Sequence, residues 1–313
     1  LALQERGDIN AAIASFNKAI ELNPNFTDAH FNLGNALKEQ GDLSAAIDSF
    51  NTALHLKPNF PDAHFNLGNA LKEKGDLTAA IDSFNTALHL KPNFPDAHIN
   101  LGNALQEKGD LTAVIATCNK ALELIPNFPE AHFNLGNALK EQGDLSAAID
   151  SFNRALQLKS NFQEARSNLG AALYEQDNLT AAIAAYNTAI ELKPNLPKTH
   201  NNLGIALQEK GDINAAIASF NKAIELKPDY SEAHLYLSML KLLKGNYKKG
   251  WETYEYRLQC KQGQSSLNAN PLCKQWNNET IIPGSQLLLV SEQGLGDTLQ
   301  LMRYVIALKS QGI

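Results

Sequence analysis

The stretch AHFNLGNALKEQGDLSAAIDSFN at residues 29–51 recurs unchanged at 131–153. The displacement is 102 residues, three times 34. Working outward, Pro24, Pro58, Pro92, Pro126, Pro194 and Pro228 fall in one 34-residue register, with Ser160 in the remaining slot. Gly7, Gly41, Gly75, Gly109, Gly143, Gly211 and Gly245 hold a second register, in which Asp177 is the exception. A fixed period of this length marks stacked supersecondary units, each burying its apolar face against its neighbours.

Residues 27–60 show what one unit is. The pattern predicts a helix A from Thr27 to Gln40, with Leu33 and Leu37 four apart on one face. Gly41-Asp42 supplies the turn: glycine accepts the left-handed backbone past a helix end, and aspartate caps the next helix. Helix B runs from Leu43 to Leu56, with Ile47, Phe50 and Leu54 on one face, and Pro58 ends it. Gly34 and Ala46 are small, which lets the two helices approach closely where they cross.

A 34-residue helix-turn-helix carrying Leu33, Gly34, Ala46, Phe50, Ala53 and Pro58 resembles the tetratricopeptide repeat (TPR) over residues 1–260. The resemblance implies an all-α, right-handed superhelical solenoid with the A helices lining an inner groove. It divides the chain into a half repeat at 1–26, six full repeats at 27–230 and a degenerate capping repeat at 231–260. In the last of these, Ser238 replaces the glycine and Gly250 and Arg257 replace the two alanines. LALQERGD at the start matches the second half of a unit, so the chain is expected to begin inside a helix. One departure from the family pattern is steady. Its large aromatic early in helix A is here His30, His64, His98, His132, His200 and His234, or Arg166. Equivalent residues of stacked helices lie about 8–10 Å apart, too far to share a zinc ion bound at about 2 Å. No metal is expected, and these histidines read as packing residues.

Asparagine is a poor helix-interior residue, yet it recurs in helix A. One column holds Asn32, Asn66, Asn100, Asn134, Asn168 and Asn202; a second, three residues later, holds Asn35, Asn69, Asn103 and Asn137. Positions i and i+3 share a helix face, and this face is not the one carrying Leu33 and Leu37. A carboxamide has one acceptor and two donors, so a column of them can hold the backbone of an extended peptide or protein segment. The columns resemble the asparagine ladder of O-linked N-acetylglucosamine transferases, whose repeats are similar. The alternative is that these asparagines bridge neighbouring helices and serve the repeat alone.

Composition narrows the partners. The chain has 313 residues, is 44% hydrophobic and carries a net charge of −6. That balance argues against a nucleic-acid partner, which calls for a basic stripe. No apolar run approaches the ~18 residues of a membrane span. Cys118, Cys260 and Cys273 show no metal-type spacing and read as free thiols, which suggests a cytoplasmic location.

After Cys260 the repeat ends. Residues 261–285 read as a linker; QLLLV at 286–290 reads as a buried strand, SEQGLGD as a glycine turn and TLQLMRYVIALKS at 298–310 as a helix. This is the opening of a βαβ unit, a short fragment of a Rossmann-like domain. No GKS or GKT follows, so it is not a P-loop. Gly294 and Gly296 at a helix N-terminus favour an anion, while Asp297 has the simpler reading of an N-cap. Residues 245–313 resemble bacterial proteins in which repeats precede a heptosyltransferase-like domain of the GT-B fold. That resemblance implies that Asp297 is a general base at the acceptor site, and that a longer parent uses a nucleotide-sugar donor. The repeats would then recognise the acceptor. The alternative is a purely structural scaffold with a vestigial tail. Residues 286–313 number 28, below the ~50 of a small domain, so this chain alone is expected to transfer no sugar.

Overall fold

The computed structural model describes residues 8–260, leaving out the side chain of Leu258. Their secondary structure is helical: α1 (Ile9–Leu22), α2 (Thr27–Gln40), α3 (Leu43–Leu56), α4 (Pro61–Lys74), α5 (Leu77–Leu90), α6 (Pro95–Lys108), α7 (Leu111–Leu124), α8 (Pro129–Gln142), α9 (Leu145–Leu158), α10 (Gln163–Glu175) and α11 (Leu179–Leu192). Then come α12 (Pro197–Glu209), α13 (Ile213–Leu226), α14 (Ser231–Leu243), α15 (Tyr247–Tyr254) and a 3₁₀ turn at Glu255–Gln259. The chain divides into two compact units, Leu1–Pro194 and Asn195–Ile313. Among the described residues there is no strand. The strand and helix expected at 286–313 lie outside them.

In the first unit each A helix packs on its B helix, and each B helix packs on the A helix of the next repeat. The second unit follows the same rule from α12 to α15. Local chemistry fixes the limits of each element. Gly41 takes φ +92°, a left-handed conformation in which a side chain is strained. Asp42 Oδ1 then accepts a hydrogen bond from the Ala45 N–H at 3.0 Å, capping α3. Asp177 occupies the one non-glycine slot of this register and adopts φ 63°, as aspartate does more readily than most residues. Helices α4, α6, α8 and α12 start on proline, whose ring presets φ for the first turn.

The core closes by a ring set over a glycine. Phe50 is fully buried, and a Cβ added to Gly34 would stand 2.6 Å from its Cε1. The same holds for Gly68 with Phe84, Gly136 with Phe152, Gly170 with Tyr186 and Gly204 with Phe220. Ala46 is buried as expected, but the atoms Gly34 makes room for are those of the Phe50 ring. Burying such a ring stabilises by about 1.5–3 kcal/mol.

The histidine column has a more specific role than packing. Nε2 of His30 lies 2.8 Å from the Pro24 carbonyl, and His64, His98, His132 and His234 repeat the contact with Pro58, Pro92, Pro126 and Pro228. Each ring ties the loop before helix A to the helix it enters. Where proline is replaced by Ser160, the histidine is replaced by Arg166, whose Nη2 donates to the Ser160 carbonyl at 3.4 Å.

Candidate functional site

Positions 32, 35 and 38 of α2, and their equivalents every 34 residues, lie three apart and share one face of each A helix. Stacking sets these faces side by side within the first unit. Asn66 Nδ2 donates to Asn35 Oδ1 at 2.8 Å, Asn100 to Asn69 at 2.7 Å and Asn168 to Asn137 at 2.7 Å. The two columns therefore form rungs, each joining one A helix to the next. Each of these six asparagines bridges one A helix to its neighbour.

A rung does not exhaust its groups. The oxygen of Asn35 is engaged, but its two N–H groups have no partner among the described residues. Asn66 uses one N–H, which leaves its oxygen and a second N–H. Each rung thus presents donors and an acceptor side by side, the two functions a peptide unit requires. The asparagines are half-buried, so part of the desolvation cost is already met by the fold.

A second ladder runs beside the first. Lys38 Nζ lies 3.2 Å from Glu73, Lys72 3.0 Å from Glu107, and Lys140 3.1 Å from Glu175. Gln106 stands in the lysine column and donates to Glu141 at 2.8 Å. Such partly exposed pairs contribute little stability, about 0–1 kcal/mol each, but they neutralise the face. Lys38, Asn69, Lys72, Glu73, Asn100 and Glu107 line an open cavity of about 490 Å³ across α2, α4 and α6. Ligand pockets of this size are usually apolar; this one is polar and suits a hydrogen-bonding chain.

The rungs are interrupted once. Asn103 and Asn134 hold the positions of a rung, but no hydrogen bond joins them among the described residues, and Asn134 is buried. Its Nδ2 lies 3.5 Å from where a Cβ on Gly102 would be. In this repeat Cys118 takes the place of the ring. Burial pushes its thiol up to about 12, so it is an unreactive core group. Burial also holds His98 and His132 below the ordinary histidine range; their proline-carbonyl bonds oppose this, while nearby Lys120 and Arg154 add to it.

Asn32 is half-buried on the same face of α2, and Asn202 is half-buried on α12 in the second unit. Gly294, Gly296 and Asp297 lie outside the described residues. Sequence reasoning missed the Lys–Glu ladder and the cavity. The signal was present: lysine at 38, 72 and 140 and glutamate at 73, 107, 141 and 175 are in register, 35 residues apart in each pair.

Among the described residues no helix is long and apolar enough to cross a membrane. The model of the TPR repeat matches residues 1–41, 34–75, 68–109, 102–143, 136–177 and 172–211, and that of the tetratricopeptide repeat matches 197–230. No curated protein matches the chain. Solved structures do. The APC/C hetero-tetramer Cut9-Hcn1 is similar with a TM-score of 0.60 at 21% identity, over 76% of this chain and 47% of the other, so this chain spans about half of that protein. PilF of Pseudomonas aeruginosa is similar with a TM-score of 0.58 at 19% identity, over 68% of this chain and 97% of the other. YrrB, described as a TPR protein with an unusual peptide-binding site, is similar with a TM-score of 0.51 at 26% identity, over 63% of this chain and 97% of the other. With family models covering residues 1–230, the chain belongs to the tetratricopeptide-repeat family.

Proposed function

We propose that this chain is a protein-binding scaffold whose first unit holds an extended polypeptide segment along the carboxamide and ion-pair face of its A helices. One observation carries the reading. The rungs Asn35–Asn66, Asn69–Asn100 and Asn137–Asn168 each keep a donor and an acceptor in place, and the middle one lines a polar cavity. Contacts of this kind address the peptide backbone, so side-chain preference is weak and affinity comes from several rungs acting together. The peptide-binding site ascribed to YrrB, a similar repeat protein, supports the same use of this architecture.

The test is a peptide selected from a random library on the full chain, its Kd then compared between the native chain and Asn35→Ala/Asn69→Ala/Asn103→Ala/Asn137→Ala. Each net hydrogen bond contributes about 0.5–1.5 kcal/mol, and about 1.4 kcal/mol is tenfold in Kd. The variant should bind at least roughly tenfold more weakly while keeping its helical circular dichroism. An unchanged Kd, or no selectable peptide, contradicts the reading.

A finer version has the bound segment as the acceptor of a glycosyltransferase that uses a nucleotide-sugar donor, with Asp297 as base. Its support is the resemblance of residues 245–313 alone. Sugar transfer by the native polypeptide, lost in Asp297→Asn, is its test. Transfer that survives Asp297→Asn removes that residue's role, and no transfer by the native polypeptide leaves the scaffold function by itself.

A further inference from the structure

One rung of the charged ladder is not neutral. Lys38 meets Glu73, Lys72 meets Glu107 and Lys140 meets Glu175, so in each of these the two charges cancel. Between α6 and α8 the lysine is replaced by Gln106, whose Nε2 donates to Glu141 Oε1 at 2.8 Å. A carboxamide satisfies that oxygen and leaves the charge. Nothing else on α8 offsets it. Lys140, the basic residue of its last turn, is committed to Glu175. Gln142 stands where Lys74 and Lys108 follow Glu73 and Glu107. Glu141 has no ion pair among the described residues. It also sits in the last turn of its helix, where the dipole is negative and favours a cation.

The same joint lacks its carboxamide rung. Asn103 lies one turn before Gln106 on α6, is half-buried and has no hydrogen bond among the described residues. Gln106 uses its Nε2 and leaves its oxygen. Asn103 Oδ1, Gln106 Oε1 and the second oxygen of Glu141 are thus open acceptors on adjoining helices, with one net negative charge. On the other rungs a lysine already supplies the donors. A guanidinium or ammonium group brings donors and positive charge and accepts nothing, which is what this set lacks.

We infer that the polypeptide segment held on the A-helix face carries a lysine or arginine selected by Glu141, with Asn103 and Gln106 as its further acceptors. The inference rests on the peptide-binding reading proposed above. The other rungs address the backbone, so Glu141 is the residue that fixes the register in which the segment lies.

The test runs the random-library selection in parallel on the full native chain, Glu141→Gln, Gln106→Lys and Lys72→Gln. Gln106→Lys recreates the rung of the other repeats, so it removes the free charge while keeping the fold. Lys72→Gln instead frees Glu107. Peptides selected on the native chain should be enriched in lysine or arginine at one position, and the first two variants should lose that enrichment. Lys72→Gln should add a second basic position about three residues from the first, because packed helices lie about 8–10 Å apart and an extended chain rises about 3.2–3.4 Å per residue. Replacing the basic residue of a native-selected peptide by glutamine should raise Kd about three- to tenfold on the native chain and leave it unchanged on Gln106→Lys. Selected peptides with no basic position overturn the inference and leave the scaffold reading standing. So does a basic preference that survives in both Glu141→Gln and Gln106→Lys, which the net charge of −6 would give without any site. No selectable peptide overturns both.

Discussion

In repeat 27–60 the Phe50 ring lies over Gly34 and meets Phe31 at 6.1 Å, and Phe31 meets Phe60 at 4.8 Å. In repeat 95–128 the same positions hold Cys118, Ile99 and Phe128, and the space beside Gly102 contains no ring. Turn and cap are alike in both: Gly109 takes φ +80°, and Asp110 accepts from the Ala113 N–H at 3.0 Å. The difference lies in the packing. α6 packs less extensively on α7 than other A helices in the first unit do on their B partners, and more extensively on α8. The missing rung, Asn103–Asn134, is at this joint. Without the ring to hold it, α6 settles toward α8, and Asn134 is buried beside Gly102 instead of meeting Asn103. The polar face is therefore set by the core beneath it.

The largest test of this contrast is deletion of the ring. Phe84→Ala should cost about 3–5 kcal/mol of local stability, and Cys118→Ala only about 1 kcal/mol. Native-state hydrogen exchange of the helices of each repeat measures this, because a repeat array opens locally. Equal losses would erase the distinction. The glycines should then differ in sign. Gly68→Ala drives a Cβ to 2.6 Å from the Phe84 ring and should cost about 1–3 kcal/mol. Gly102→Ala meets only Asn134 Nδ2 at 3.5 Å and should gain about 0.5–1 kcal/mol of helix propensity. The same exchange measurement decides, and a loss at Gly102 would mean that its space is already filled.

The caps sharpen the comparison by being alike. Asp76→Ala and Asp110→Ala should each cost about 1 kcal/mol in their own repeat, and urea midpoints that differ widely between them would place the contrast in the turn. The smallest effect is the response to pH. His98 and His132 titrate below their ordinary 6.5, so the unfolded chain takes up protons first as pH falls. Their contribution is complete above about 6.5 and is lost as pH falls through the lower folded values. Nδ1 of His98 is buried without a partner among the described residues, which suits the neutral ring. The urea midpoint should therefore drop between pH 7.5 and 5, and less so in His98→Gln. An identical slope in that variant would remove His98 from the explanation.

Much of the fold was legible because the period repeats its own evidence. Gly41-Asp42 and Pro58 mark ends, and α2 and α3 run from Thr27 to Gln40 and Leu43 to Leu56 as their sequence indicates. What was not legible depends on how one repeat lies on the next. The Asn35–Asn66 and Lys38–Glu73 partners sit 31 and 35 residues apart, offsets that acquire meaning only once helices are stacked. The histidines looked like packing residues because their partner is a backbone carbonyl, which carries no signature in side-chain composition. Cys118 read as one more thiol, though its effect comes from the ring it lacks.

If a peptide lies along the carboxamide face as proposed, the side-chain NH₂ resonances of its asparagines report on it directly. With the library-selected peptide bound to the full chain, binding along this face predicts shifts at Asn35, Asn69 and Asn137. Shifts confined to other residues, with these three unmoved, would contradict it.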